Sequence, residues 1–216
     1  TQTIIAMAAA NGFDRVLVGQ DGILSTPAVS HIIRKHGAFG GLVLSASHNP
    51  GGPDGDFGIK YNGENGGPGK QAVMDRVEAR TREITQYQIW RDEEVDLSQV
   101  GKSKLGSMRV EIIAPVADYA ELMEELFDMD AIAATFKGGF NFLFDAMHAV
   151  TGPYAKAIFC DRLGAPSFAV INGTPKEDFG GGHPDPNLVH AEAIYNAAMR
   201  EDGPDLAAAS DGDGDR

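Results

Sequence analysis

At 216 residues, with a formal net charge of −13 and a single cysteine, Cys160, the chain has room for one large or two small hydrophobic cores and for no internal disulfide. The acidic balance argues against a nucleic-acid partner, whose phosphates require dense lysine and arginine. The sequence shows neither a secretory apolar region nor an apolar span of about 18 residues, so it reads as soluble and cytoplasmic, with no membrane partner.

The first elements alternate. The pattern predicts a helix near residues 2–11 ended by Gly12, a strand near 15–19, a helix opening at Thr26-Pro27, and a strand near 41–46. After a loop rich in proline and glycine comes a short strand-like run, Phe57-Gly-Ile-Lys-Tyr-Asn62, in which Ile59 and Tyr61 face away from Lys60. Gly63-Glu-Asn-Gly-Gly-Pro-Gly69 reads as a turn before a helix near 71–86. It is not a P-loop, because both the upstream glycine and the hydroxyl residue after Lys70 are missing.

Gly101, Gly106 and the Lys-Ser pairs mark a polar connector, and a domain boundary is expected at 107–112, giving domains 1–109 and 110–216. The second alternation comprises a strand at 109–113, a helical stretch from 116 to about 136, and the strand Phe140-Asn-Phe-Leu-Phe144, all three of whose phenylalanines are expected in the core. A helix ended by Gly164 and a strand near 168–171 follow. Asp205-Leu-Ala-Ala-Ala-Ser210 then reads as a buried strand. The alternation points to an α/β fold with two successive mixed-sheet domains and flanking helices.

Two segments carry chemistry. Asp211-Gly-Asp-Gly-Asp-Arg216 sets three carboxylates at alternate positions with only glycine between them, an arrangement that invites a cation. Magnesium, a hard ion with oxygen ligands and an affinity for phosphate, is the default. The run is not an EF-hand, since its sixth residue is Arg216 rather than glycine; the plainer alternative is a solvated acidic tail. A strand delivering these charges at its C-terminal end suits the ligand-binding edge of an open α/β sheet, and suggests a piece of a longer protein.

The other segment is Ser45-Ala-Ser-His-Asn-Pro-Gly-Gly-Pro53, which presents Ser47 beside His48 in a loop that Pro50, Gly51 and Gly52 keep out of regular structure. A serine hydroxyl is a useful nucleophile only when activated, or when it already carries a phosphoryl group. A plain Asn-Pro-Gly-Gly turn is the alternative, and adjacent Ser and His do not make a triad.

These segments, with Gly19-Gln-Asp-Gly-Ile-Leu-Ser-Thr-Pro-Ala-Val29, Asp56-Phe-Gly-Ile-Lys-Tyr-Asn62 and His183-Pro-Asp-Pro-Asn-Leu188, stand in the order of the α-D-phosphohexomutase superfamily, which the chain resembles over essentially its whole length. The run from Gly51 to Lys60 resembles the phosphoglucomutase branch. The resemblance implies most of the first and nearly all of the second of four domains, the first incomplete at its N-terminus. It also implies an isomerase that interconverts glucose 1-phosphate and glucose 6-phosphate through a phosphoserine and a glucose 1,6-bisphosphate intermediate. By the same resemblance, Ser47 carries the phosphoryl group and His48 contacts it. Lys60 acts as general acid or base, a role open to lysine when neighbours depress its pKa. Arg216 and Asn49 bind phosphate, while Asp211, Asp213, Asp215 and an oxygen on Ser47 hold Mg²⁺. The substrate is a hexose phosphate. The 216-residue chain alone is expected to be inactive, since the sugar-reading loop and distal phosphate site are missing from it. A phosphomannomutase preference, or a non-catalytic scaffold, are the alternatives. Gly182-His-Pro-Asp-Pro-Asn187, Asp145 and His148 are read as structural.

Overall fold

The computed structural model describes residues 1–91 and 93–216, and among the described residues eight strands and seven α-helices are built from the alternating runs of the sequence. In the first half, α1 (Gln2–Ala10), β1 (Arg15–Gly19), α2 (Thr26–Lys35), β2 (Gly40–Leu44), β3 (Ile59–Gly63), α3 (Gln71–Glu83), β4 (Gly101–Leu105) and β5 (Met108–Ile113) follow in order. In the second, α4 (Ala117–Leu126), α5 (Met129–Lys137), β6 (Phe142–Asp145), α6 (Gly152–Ala155), β7 (Val170–Ile171), α7 (Glu192–Ala198) and β8 (Leu206–Ala209) complete the set, with a π-helical turn, Lys156–Arg162, extending α6.

β5 alternates buried Met108, Val110 and Ile112 with more exposed residues, so one face can enter a core while its edges bond to two neighbours. It runs parallel to β1 (Val16 beside Val110) and antiparallel to β4 (Leu105 beside Met108). Ile5, Val18, Val95, Leu105, Met108, Val110 and Ile112 form the core beneath this sheet. A separate hairpin, β2 with β3, packs Val43 against Val29 and Ile33 of α2. In the second half β7, β6 and β8 form an all-parallel sheet.

Four local expectations are corrected. The polar connector at 101–106 is the edge strand β4: only Leu105 is buried, and exposed lysines on an edge strand imitate a linker in composition. Residues 109 and 110 are consecutive members of β5, so a division between them would cut a strand; we place it after Ile113 instead. The helical stretch from 116 breaks at Phe127, where the backbone is extended and the Asp128 carboxylate accepts a hydrogen bond from the Ala131 N–H to start α5. Of the three phenylalanines, Phe142 is buried and Phe144 partly so. Phe140 precedes β6 and stays 37 % exposed.

The two halves meet along α2. Ser25 caps this helix, its hydroxyl accepting from the Ala28 N–H, and Pro27 occupies the first turn. Ala28 and Ile32 pack on Tyr154, with Val116 and Tyr119 beside them, and the Tyr154 hydroxyl accepts from the Ser25 N–H at 3.1 Å. At the far end Lys35 pairs with Asp118 and Glu121 of α4, and His36 with Asp118. The start of α2 is thereby held against the C-terminal edge of the parallel sheet, where β8 ends.

Candidate active site

β8 delivers Ser210 and the acidic loop at its C-terminal end, beside the turn that follows β6. Ser210 shares a 2.6 Å hydrogen bond with Thr151, and the Val150 N–H donates to the Gly212 carbonyl. Within the loop, one oxygen of the buried Asp211 accepts from the backbone N–H groups of Gly214, Asp215 and Arg216, at 3.0, 3.1 and 3.1 Å, so Asp211 folds the turn it begins. Gly214 takes φ = 77°, a left-handed conformation that glycine enters freely.

The three carboxylates converge: one oxygen each from Asp211, Asp213 and Asp215 lie within 4.8 Å of one another. Burial raises the Asp211 carboxyl above its ordinary pKa, and the neighbouring Asp213 and Asp215 charges add to it against the backbone bond and Arg216. Burial also pushes Asp213 upward, but hydrogen bonds from Lys60, Ser45 and Thr26 outweigh it and leave that carboxyl below the usual range. All three donors fall on one oxygen, Oδ2, at 2.5, 2.6 and 2.9 Å. The other oxygen, Oδ1, is buried with no partner among the described residues. A buried, unpartnered carboxylate oxygen beside two more carboxylates fits a hard divalent cation with oxygen ligands.

The serine loop faces this cluster. After Leu44, the Ser45 N–H donates to the Gly58 carbonyl and closes the loop at its base. Ser47 sits at φ = 61°, unusual for a residue with a side chain, and its N–H donates to Ser45 Oγ at 2.8 Å. Its hydroxyl lies 3.4 Å from Asp211 Oδ2 and accepts a short hydrogen bond from the Arg216 guanidinium. Arg216 also lies 3.7 Å from Asp211 and 3.6 Å from Asp215, bridging nucleophile and acidic loop.

Lys60, on β3, reaches the same cluster, with Asp213 at 2.5 Å and Asp215 at 3.0 Å. The condition under which a lysine becomes a base, a pKa depressed by its neighbours, is not met here. Burial does pull it down, but the two carboxylates outweigh that and raise it, so the ammonium form is the stable one.

The structure thus brings Ser47, Lys60, Arg216 and the three aspartates together. His48 and Asn49 stand in the same loop without joining them: His48 Nδ1 is buried with no partner among the described residues, and the backbone N–H of Asn49 donates to the Ala46 carbonyl. Ser45 and Thr26 were not expected at the site. The only sequence signal for them is a hydroxyl within each motif, and such residues more often serve local turns and caps. The stiff 183–187 loop packs behind the cluster: Pro184 is fully buried, 3.3 Å from where a side chain on Gly212 would begin. Asp145 and His148 serve loop geometry. Asp145 accepts from the Met147 N–H and the Asn172 amide, and the His148 ring meets the Thr174 carbonyl.

Gly212 leaves no room between the two loops. A Cβ there would lie 2.2 Å from the Ser47 carbonyl oxygen, a backbone atom that moves only with its loop. Gly212→Ala should force the loops apart and lower stability by about 1–3 kcal/mol, read as a shifted urea midpoint. A wild-type midpoint would show that they part freely.

Comparison with known proteins agrees along the chain. Residues 1–88 match the family model for phosphoglucomutase/phosphomannomutase, alpha/beta/alpha domain I, and residues 117–216 that for domain II. The phosphoglucomutase of Rhizobium radiobacter is 59 % identical over 215 residues, and phosphoglucomutase-1 of Oryctolagus cuniculus 48 % over 223; the chain covers 40 % of each. The open form of pp63/parafusin, a phosphoglucomutase from Paramecium, superposes with a TM-score of 0.94 at 41 % identity over 99 % of this chain and 42 % of that one. A putative phosphomannomutase from Thermus thermophilus superposes at 0.66 with 25 % identity, over 96 % of this chain and 42 % of its own. The chain therefore spans about two fifths of the length of the curated relatives it matches.

Proposed function

Because the chain belongs to the phosphoglucomutase/phosphomannomutase family, we propose that the whole protein is a phosphoglucomutase that carries its phosphoryl group on Ser47. One observation carries the reading. A serine hydroxyl held in a strained loop touches Arg216 and Asp211, where residues from both halves of the chain converge on three carboxylates.

In this reading the phosphoryl group passes from Ser47 Oγ to the free hydroxyl of glucose 1-phosphate or glucose 6-phosphate. The proton of the sugar hydroxyl passes to the serine oxygen, so that the serine hydroxyl is left free and glucose 1,6-bisphosphate is formed; after turning in the site, the sugar returns its other phosphoryl group to Ser47 and its released oxygen takes up a proton in exchange for the one the serine gives up. Such transfer depends on positioning and on neutralising phosphate charge rather than on covalent work by the protein. Arg216 holds the serine oxygen, and the Lys60 ammonium is set to give a proton to the sugar oxygen as it is released, or to steady it. Asp211, Asp213 and Asp215, with an oxygen on Ser47, would hold Mg²⁺, which supplies positive charge to the moving phosphoryl group. His48 and Asn49 are proposed to meet phosphate oxygens from the same loop. The glucose preference is supported by the names of the relatives, 59 % and 48 % identical over the whole chain.

The test is conversion of glucose 1-phosphate to glucose 6-phosphate by the full-length enzyme with Mg²⁺ and a catalytic amount of glucose 1,6-bisphosphate, with mannose 1-phosphate as competitor. Turnover preferring glucose is expected, together with a protein fraction carrying one extra phosphoryl group by intact mass. Preference for mannose would move the assignment to phosphomannomutase, and absence of both turnover and phosphoryl group would move it to a scaffold. Residues 1–216 alone are expected not to turn over in this assay. Lys60 and Arg216 are both engaged by carboxylates, and a bisphosphate needs cations at its far end as well. Turnover equal to the full-length enzyme would show that no further contact is needed.

A further inference from the structure

We propose that Ser45 is a positioning residue that joins the backbone of the nucleophile to the metal ligand Asp213, and that Thr26 completes the clamp; this rests on the roles assigned above to Ser47 and Asp213. The direction of the hydrogen bonds is fixed by chemistry. Ser45 Oγ lies 2.8 Å from the Ser47 N–H, which can only donate, and 2.6 Å from Asp213 Oδ2, which as a carboxylate can only accept. The single Ser45 proton is therefore committed to Asp213. The relay runs from the Ser47 N–H through the Ser45 hydroxyl to the carboxylate, and each bond polarises the next.

Both ends of that relay need holding. Ser47 adopts φ = 61°, which a serine keeps only when its surroundings enforce it, and the bond to Ser45 fixes the amide at which that turn begins. At the other end, Asp213 must offer one oxygen in a fixed direction. Thr26 grips it twice: its N–H, a first-turn amide of α2 without a helical partner, donates to the Asp213 carbonyl at 2.8 Å, and its hydroxyl donates to Oδ2 at 2.9 Å. With Lys60 also on Oδ2, that oxygen is saturated by three donors. Oδ1, buried and without a partner among the described residues, is the oxygen left for a metal, and the carboxylate cannot rotate without breaking all three bonds.

Ser45 and Thr26 belong to the first half of the chain and Asp213 to the second, so the same bonds set where the serine loop stands relative to the acidic loop. A residue that only filled space here would do as well without its hydroxyl. The clamp requires the hydroxyl.

The test is Mn²⁺ binding by the full-length enzyme, read from the electron paramagnetic resonance of the free ion, for Ser45→Ala, Ser45→Thr, Thr26→Val, Thr26→Ser and Asp213→Ala, with a thermal melt of each. Losing either hydroxyl should weaken Mn²⁺ binding by about tenfold or more, as removing the hydrogen-bond partner of a metal ligand typically does. Ser45→Thr and Thr26→Ser should bind as the wild type does. Ser45→Ala should also lower kcat while leaving KM for glucose 1-phosphate unchanged, since Ser45 does not meet the sugar. Wild-type affinity in Ser45→Ala and Thr26→Val, with affinity lost in Asp213→Ala, would overturn the clamp and leave the metal site standing. Equal weakening in Ser45→Ala and Ser45→Thr would overturn it too, by showing that volume and not the hydroxyl matters. If Ser45→Ala failed to fold, the Thr26 pair would decide. Wild-type affinity in Asp213→Ala would instead remove the metal reading beneath it.

Discussion

Ser47→Ala in the full-length enzyme is expected to remove essentially all interconversion of glucose 1-phosphate and glucose 6-phosphate, a loss of roughly a thousandfold or more, as when other serine nucleophiles are removed. The reason is the scarcity of substitutes. The two other hydroxyls bonded to the acidic triad, Ser45 and Thr26, are committed to Asp213 at 2.6 and 2.9 Å, and giving up either proton would undo the carboxylate's support. Neither occupies the strained turn that lifts Ser47 toward Arg216. The alanine variant should also lose the phosphoryl group seen by intact mass while melting near the wild-type temperature, because the Ser47 N–H keeps its bond to Ser45 without the side chain. A variant that turns over at the wild-type rate would show that another group stores the phosphoryl, and the assignment of the loop would fall.

Local pattern made most of this site legible. A hydroxyl in a Pro-Gly-Gly loop and three alternating aspartates announce their chemistry by residue type, and a lysine on a short strand follows from the family resemblance. What the sequence does not reveal is pairing over distance. The bonds that Ser45 and Thr26 make to Asp213 span 168 and 187 residues, and both residues look locally like a strand end and a helix start. The direction of the Lys60 pKa was hidden for the same reason: a lysine on β3 says nothing about which carboxylates will face it, and two do. β4 was read as a connector because its burden of packing falls on Leu105 alone, and its partner, β5, had to be found before its lysines made sense as an edge. The exposure of Phe140 is a matter of two residues, the distance between an apolar run and the strand inside it. By contrast β1 and α2 were visible, because their period, caps and flanking breaks agree with the fold around them, and β8 was visible as a strand but not as the buried one expected, Leu206 being 51 % exposed.

Asp213→Ala is expected to weaken Mg²⁺ binding by about a hundredfold and to carry turnover down with it. Charge makes the first part of the case. The cluster sets three carboxylates against two cations, Lys60 and Arg216, so it retains a negative charge that a divalent ion can answer. Without Asp213 the count is two against two. Lys60 could then settle on Asp215, already at 3.0 Å, and the attraction for a metal would largely disappear. Geometry makes the second part. Asp213 Oδ1 is the only oxygen of this triad that is buried and lacks a partner among the described residues, whereas Asp211 spends one oxygen folding its own turn. Removing Asp213 takes away the ligand with no other duty on that side, and frees Ser45 and Thr26 from the contact that docks the serine loop. Asp213→Asn separates the two causes. It keeps the shape and one acceptor but not the charge, so metal binding should fall nearly as far as in alanine while the melting temperature stays closer to wild type. Calorimetric titration with Mg²⁺ decides the matter: unchanged affinity in Asp213→Ala would reduce the triad to an acidic turn already neutralised by Lys60 and Arg216.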